Sequence, residues 1–207
     1  MTDKMADEVD FANYYKLPGL SLDRLYEFDC AETFYLPRKI FYLILVILKH
    51  KEQQGLFRET ISEVNKKLIL LDQENYDQLN QILTGPGAAL LLKTIISEIN
   101  GKYVDRFNEL LSFDEHGIEE AIEMLRNFVD KCDPRVYCLW KRIIRLVKYI
   151  SEQKKVDTSA LAISMGISIF PVLDISHISL VQKVVECMIN NHEKIFIRKL
   201  ANKMSSE

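Results

Sequence analysis

The chain has 207 residues, of which 48% are hydrophobic, and its formal net charge at pH 7 is -3. A chain of this length suits one domain with a sizeable core, and five prolines and seven glycines are too few for a low-complexity protein. The nearly balanced charge removes the electrostatic case for a nucleic-acid-binding protein.

The cysteines and the N-terminus indicate a reducing, cytoplasmic location. The four cysteines lie far apart without a CxxC pair, so neither a disulfide scaffold nor a zinc signature is present. The opening MTDKMADEVDF lacks the apolar core of a signal peptide. The most apolar run, residues 40–48, is far shorter than the roughly 20 residues that cross a membrane, so no transmembrane segment is expected.

Capping signals and apolar periodicity predict helices from the N-terminal region onward. Ser21 is a candidate N-cap for a short helix, and an apolar helix is predicted over residues 37–53, with proline at its start. Residues 55–58, Gly-Leu-Phe-Arg, interrupt the helical pattern. Thr60 followed by Glu63 resembles a capping box and predicts the start of the next helix.

The remaining elements are also predicted to be helical. A polar break at residues 72–77 precedes a short helix, which ends at a turn formed by Gly85-Pro86-Gly87. Further helices are predicted over residues 88–99, 118–129, 134–150 and 158–165, and from about 176 to beyond 196. Residues 166–173 are predicted to be a break. No alternating pattern with hairpin turns indicates strands.

The helix that begins at Pro134 carries a basic face. Its members are Lys141, Arg142, Arg145 and Lys148. We interpret this face as a solvated helix surface. Contact with acidic residues of a partner or with a membrane surface stays open, because four charges alone do not establish it.

The sequence contains no sign of a self-contained active site. None of the strings GxxxxGK followed by Ser or Thr, GxGxxG, HExxH or GxSxG occurs. Gly85-Pro86-Gly87 lacks the lysine of a phosphate loop. The four histidines stand apart from any motif, so we expect neither a metal site nor a bound cofactor.

Arg58 has two interpretations. It follows Gly55-Leu56-Phe57 in a break between two predicted core helices. It is either a surface arginine whose stem covers Phe57, or an arginine held on a rigid loop to reach a phosphate on a partner, for which the guanidinium fork is well suited. The local sequence alone favours the first interpretation.

Four motifs, in order, resemble those of Rho GTPase-activating (RhoGAP) domains. The proline, apolar helix and residues 55–60, GLFRET, are similar to the family's G-I/L-F-R-x-S/T-G, which presents an arginine finger. Residues 89–96, ALLLKTII, resemble A-S-L-L-K-x-F/Y-L, and residues 161–166, LAISMG, resemble N-L-A-x-x-F/M-G-P. Residues 184–196 resemble the closing helix. The resemblance extends from about residue 17 to 196.

The resemblance implies an all-α fold of roughly nine helices in a single domain, residues 11–200, between tails at residues 1–10 and 201–207. It implies a shallow groove for the switch regions of a Rho-family small GTPase. Arg58 would be the finger, and Lys93 would support the finger loop and contact the GTPase. GTP and magnesium would belong to the partner, so the chain would need no cofactor of its own.

Departures from the family pattern keep two functions open. The family's arginine falls on Ser97, its asparagine on Ala160, its proline on Ile167, and the glycine after the finger on Ile61. Loss of the arginine and asparagine removes polar contacts from the expected interface. The chain is therefore either a GTPase activator that uses Arg58, or a RhoGAP-like adaptor that binds a GTPase or another protein without stimulating hydrolysis. A helical adaptor with accidental resemblance is the third interpretation.

Overall fold

The computed structural model describes residues 36–53, 55–58, 62–154, 157–170 and 175–197, with all their side chains except those of residues 101–105, 135 and 154. Within these ranges the chain forms nine α-helices and three 3-10 segments, without a β-strand. The all-α prediction is confirmed. The α-helices are α1 Arg38–Lys49, α2 Val64–Asp72, α3 Tyr76–Ile82, α4 Gly85–Asn100, α5 Ile118–Asp130, α6 Pro134–Lys154, α7 Thr158–Ile169, α8 Ile178–Asn190 and α9 His192–Ile195. The 3-10 segments are Gly101–Leu110, Phe113–Glu115 and Ile175–His177.

The chain divides into two compact units, residues 1–92 and 93–207, and the division falls within α4. Each unit is described by itself below. The expectation of one domain over residues 11–200 stays a prediction. The predicted tails, the short helix after Ser21, and Thr60 and Ile61 lie outside the described residues.

Helix α1 is the central helix of the first unit. Nine consecutive residues, 40–48, are buried, as expected for a helix that is apolar nearly all round. The helix ends at Lys49 rather than near Gln53, because residues 50–53 continue as turns closed by bonds such as the one from the Gln53 amide to the His50 carbonyl, 2.9 Å long.

Polar contacts attach α1 to the two short helices of the same unit. Arg38 and Lys39 form ion pairs of 2.9 Å with Glu74 and Asp72 at the end of α2. These pairs are partly exposed, so each contributes at most about 1 kcal/mol. The hydroxyl of buried Tyr42 donates to the Asn80 side chain of α3 at 3.0 Å.

The predicted capping box at the start of α2 is wrong in its placement of Glu63. Glu63 is the N-cap residue itself and has a left-handed backbone, with φ 56° and ψ 38°. The helix therefore begins at Val64, directly after Glu63. Its buried face includes Lys67, which is 8% exposed and donates to the Ser62 carbonyl at 3.1 Å.

Helices α7 and α8 pack extensively against each other in the second unit. Gly166 was predicted to break the chain, but it lies inside α7, which continues to Ile169. A Cβ at Gly166 would lie 2.8 Å from the Val181 Cγ1 of α8. The glycine therefore permits close helix packing instead of ending the helix.

The predicted basic face of α6 is not a free solvated surface. Arg142 is only 2% exposed. Arg145 forms an ion pair of 2.7 Å with Glu193 of α9, and Lys148 pairs with the same carboxylate. The prediction failed because one basic residue is drawn into the interior and two others attach α6 to α9.

The last predicted helix is divided in two at Asn191. The side-chain amide of Asn191 donates to the Cys187 carbonyl, four residues earlier, at 3.1 Å. The backbone amide of Asn191 donates to the same carbonyl at 2.9 Å. The backbone of Asn191 then departs from helical values, with φ -116° and ψ 28°, so α8 ends at Asn190 and the four-residue α9 follows. The helix prediction was right in location but wrong in continuity.

Within the described ranges, none of the helices combines the length and apolar character that a bilayer crossing requires. Among the described residues, Cys132, Cys138 and Cys187 are buried thiols.

Candidate functional site

Arg58 projects from the first unit on a tightly bonded turn. Gly55 has a positive φ of 71°, and its carbonyl accepts a hydrogen bond of 2.8 Å from the Arg58 amide. Leu56 and Phe57 are buried, with 5% and 2% exposure, whereas Arg58 is exposed. Two apolar anchors thus hold the turn against the core and leave the guanidinium in solvent.

The start of helix α4 differs from the turn that the sequence predicted. Gly85-Pro86-Gly87 is the first turn of α4 and not a loop. The Thr84 hydroxyl accepts from the Gly87 amide at 3.2 Å, as an N-cap does. Proline is tolerated in a first helical turn because its missing N–H would have no helical acceptor there.

Lys93 lies in the second unit, on α4, and is half-buried. Its ammonium donates to the Ser164 hydroxyl of α7 at 3.5 Å. Burial disfavours the charged form and lowers the pKa of Lys93 below its ordinary 10.5. The ammonium of Lys93 thus lies between α4 and α7, and its role toward the finger loop and the GTPase stays a prediction. That Arg58 and Lys93 serve one surface stays a prediction.

The substituted family positions form part of the surface of α7. Ala160 is partly exposed, and Ile163 and Ile167 are 52% and 48% exposed. These residues share one helical face, at spacings of three and four. The sequence TSALAISMGISI contains no charged residue, so a polar position of the family pattern is replaced here by an apolar surface.

Ser97, at the position of the family's arginine, lies one turn after Lys93 on α4 and is partly exposed. Its hydroxyl cannot reproduce the charge or the reach of a guanidinium. The sequence analysis did not identify Ile163 as part of the exposed face of α7. Its spacing of four residues from Ile167 and the absence of charged residues in this stretch were visible in the sequence. The false break predicted at Gly166 concealed that both isoleucines belong to one helix.

Asn100 was also missed as a residue that fixes the position of α7. Its Nδ2 donates to the carbonyls of Ser168 and Ile169 at 3.3 and 2.9 Å, and its Oδ1 accepts from the indole of Trp140 at 3.0 Å. The sequence signal was a polar residue at the end of an apolar helix, but the sequence did not identify its partners.

The described residues also include one shallow surface pocket of about 380 Å³ in the second unit. The Lys183–Asp114 ion pair, 2.6 Å long, forms part of its lining. Among the residues whose placement is described, no three His, Cys, Asp or Glu side chains are grouped as metal ligands would be. Neither feature provides a reason to assign chemistry to this pocket.

Comparison with known proteins supports the fold. No family model and no curated protein matches the sequence. Among solved structures, the chain is similar to the crystal structure of human Rho GTPase activating protein 15 (ARHGAP15), with a TM-score of 0.63 and 17% sequence identity. The match covers 78% of this chain and 84% of that chain. At such low identity the likeness shows the fold alone, which is the all-helical fold of a RhoGAP domain.

Proposed function

We propose that this chain stimulates GTP hydrolysis by a Rho-family small GTPase and supplies Arg58 to the partner's nucleotide in trans. The observation that carries the proposal is the exposure of Arg58 on a turn whose neighbours Leu56 and Phe57 are buried. A guanidinium on an anchored turn is positioned before the partner arrives, so little conformational entropy is lost on binding.

The chemistry needs no active site within this chain. Hydrolysis of GTP develops negative charge on the transferring phosphoryl group and on the leaving oxygen, and an arginine supplied by an activator stabilises that charge. Such a finger increases the rate by about 10³–10⁵-fold, which corresponds to roughly 4–7 kcal/mol of barrier. GTP and magnesium are held by the GTPase, so the activator requires no cofactor.

Lys93 is the second residue of the proposal. Its ammonium contacts Ser164 of α7, next to the face that carries Ala160 and Ile163. In this role Lys93 contacts the GTPase and supports the arrangement of the finger. The proposal also places the protein in the cytoplasm, where Rho-family GTPases signal and where buried thiols stay reduced.

A second function is favoured by the surface of α7. Ala160 and Ile167 replace polar and turn-forming positions of the family, and Ser97 replaces its arginine. A RhoGAP-like domain with this surface would bind a GTPase or another protein as an adaptor without accelerating hydrolysis. The two functions differ in whether the bound GTPase turns over faster.

Single-turnover GTP hydrolysis over a panel of Rho-type GTPases, paired with binding to the GTP-loaded and GDP-loaded forms, separates the two functions. Stimulation of at least one GTPase supports the activator. Binding to the GTP-loaded form without stimulation supports the adaptor. An absence of both binding and stimulation across the panel would reject a GTPase as the partner.

A further inference from the structure

The start of α4 packs unusually closely against the segment that carries Arg58. A Cβ atom at Gly85 would lie 2.6 Å from the His50 Cβ, 2.8 Å from the Leu56 Cδ1 and 3.1 Å from the Gln53 Oε1. The His50 atom is fixed to the backbone and cannot move away as the end of a flexible side chain can. Any residue larger than glycine would therefore displace the segment or the helix.

The atoms that a Cβ at Gly85 would meet lie near both ends of the finger segment, by which we mean residues 50–53 and 55–58. His50 follows the end of α1, and Leu56 is one of the two apolar anchors of the Arg58 turn. A hydrogen bond from the Gln53 amide to the His50 carbonyl closes the turn at the first contact, and a bond from the Arg58 amide to the Gly55 carbonyl closes the turn that contains Leu56. One position on α4 thus restrains the segment where it leaves α1 and where it turns outward.

We propose that Gly85 is a positioning residue for Arg58: its missing side chain lets α4 close against His50 and Leu56 and fixes where the guanidinium is presented. The inference rests on the proposed function, but its structural part does not depend on a GTPase. Displacement of a reacting group by about 1 Å can reduce a rate by about 100-fold, so the position of this turn determines the effect of the finger.

Two other glycines provide matched controls for Gly85→Ala. A Cβ at Gly117 would meet no atom within 4 Å, so Gly117→Ala adds the same methyl group without a clash. A Cβ at Gly166 would lie 2.8 Å from Val181, so Gly166→Ala introduces a comparable clash in the second unit. The first variant controls for the methyl group and the second for a general loss of stability.

Hydrogen exchange of the Gln53 and Arg58 amides reports the position of the turn without any partner. We expect Gly85→Ala to accelerate their exchange by about tenfold or more, since the bonds they make would open more often. Gly117→Ala and Gly166→Ala should leave these two amides unchanged. Wild-type exchange of both amides in folded Gly85→Ala would overturn the inference.

A second variant keeps the inference testable if Gly85→Ala does not fold. Leu56→Ala removes the same contact from the opposite side without adding atoms. It should also accelerate exchange of the Arg58 amide. Unchanged exchange in Leu56→Ala would contradict the proposed role of this contact.

Single-turnover hydrolysis distinguishes a positioning role from a binding role. In Gly85→Ala the stimulated rate at saturation should fall by roughly 10- to 100-fold, while the affinity for the GTP-loaded partner stays unchanged. Equal stimulation by wild type and Gly85→Ala would contradict the inference. If wild type itself gives no stimulation, the proposed activity fails, and the exchange measurements still decide whether Gly85 positions the turn.

Discussion

The indole nitrogen of Trp140 donates a hydrogen bond of 3.0 Å to the side-chain oxygen of Asn100, and both side chains are almost completely buried. The amide nitrogen of Asn100 donates to the carbonyls of Ser168 and Ile169, at the C-terminus of α7. Those carbonyls belong to the last helical turn and lack a helical donor. One asparagine thus joins the end of α4, the middle of α6 and the end of α7.

Replacement of Asn100 should destabilise the protein substantially. Asn100→Ala leaves the Trp140 N–H and the two carbonyls without their described partner in a buried site, and we expect a loss of about 2–4 kcal/mol in the free energy of unfolding. Urea denaturation followed by circular dichroism measures it. Asn190→Ala, at an exposed position of α8, is the control, and equal unfolding midpoints for the two variants would contradict the role of Asn100.

Lys93 should show opposite effects on stability and activity. Its pKa is lowered by burial, so the unfolded chain binds the proton more tightly than the folded chain does. The free energy of unfolding therefore rises as pH increases from the lowered pKa toward 10.5, and the cost of burying the charge is fully present at pH values below the lowered pKa. Lys93→Met keeps the stem and removes the charge, and we expect a gain of about 0.5–1 kcal/mol with a loss of GTPase stimulation.

Thermal unfolding and single-turnover hydrolysis of the same Lys93→Met preparation test both parts of this prediction. Lys66→Met, at an exposed position of α2, is the control and should change neither quantity. A variant that is less stable than wild type would show that the charge of Lys93 stabilises the fold. A more stable variant that stimulates as well as wild type would remove Lys93 from the proposed machinery.

Ala160→Asn tests whether α7 contacts the partner. The substitution restores the residue type of the family pattern at a partly exposed position in the first turn of α7. We expect tighter binding to the GTP-loaded GTPase, by about tenfold if one good hydrogen bond is formed. Ser179→Asn, in the first turn of α8, is the control. Unchanged affinity in Ala160→Asn would indicate that this face lies outside the interface.

His192 should contribute to acid sensitivity. It is 5% exposed, and burial lowers its pKa below the ordinary 6.5, although a bond to the Lys141 carbonyl and the nearby Glu193 oppose the shift. Between the lowered pKa and 6.5 the unfolded chain binds more protons than the folded chain. Stability should therefore fall as pH decreases from about 6.5 toward the lowered pKa.

Urea denaturation at several pH values between 7 and 5 measures this contribution. His192→Gln should show a smaller loss of stability across this range than wild type, since the titrating group is absent. Asn190→Ala, at an exposed position of α8, removes no titrating group and should retain the pH dependence of wild type. If the free energy of unfolding of His192→Gln falls with pH as steeply as that of wild type, another group causes the acid sensitivity.

The fold class followed from local patterns that tertiary contacts did not override. The apolar run at residues 40–48 predicted a buried central helix, and all nine residues are buried. Asp157 and Pro134 marked helix starts correctly, because N-capping and proline at a first turn depend on neighbouring residues only.

The errors arose at two glycines, whose roles depend on distant neighbours, and at Asn191. Gly85 and Gly166 resembled breaks because glycine is a poor helix former, yet each lies in a helix where a Cβ would collide with another element. The non-helical backbone of Asn191, with φ -116° and ψ 28°, ends α8 within a sequence that continues the helical pattern. The site residues Arg58 and Lys93 came from a family resemblance, while the exposure of Arg58 and the Ser164 contact of Lys93 required coordinates.

The central claim concerns the guanidinium of Arg58 and is tested most directly by single-turnover GTP hydrolysis with three proteins: wild type, Arg58→Ala and Arg58→Lys. The account predicts that wild type stimulates a Rho-type GTPase and that Arg58→Ala loses about 10³-fold or more of that stimulation, with unchanged folding. Arg58→Lys should recover little, since an ammonium lacks the fork. Stimulation by Arg58→Ala equal to that of wild type would contradict the account.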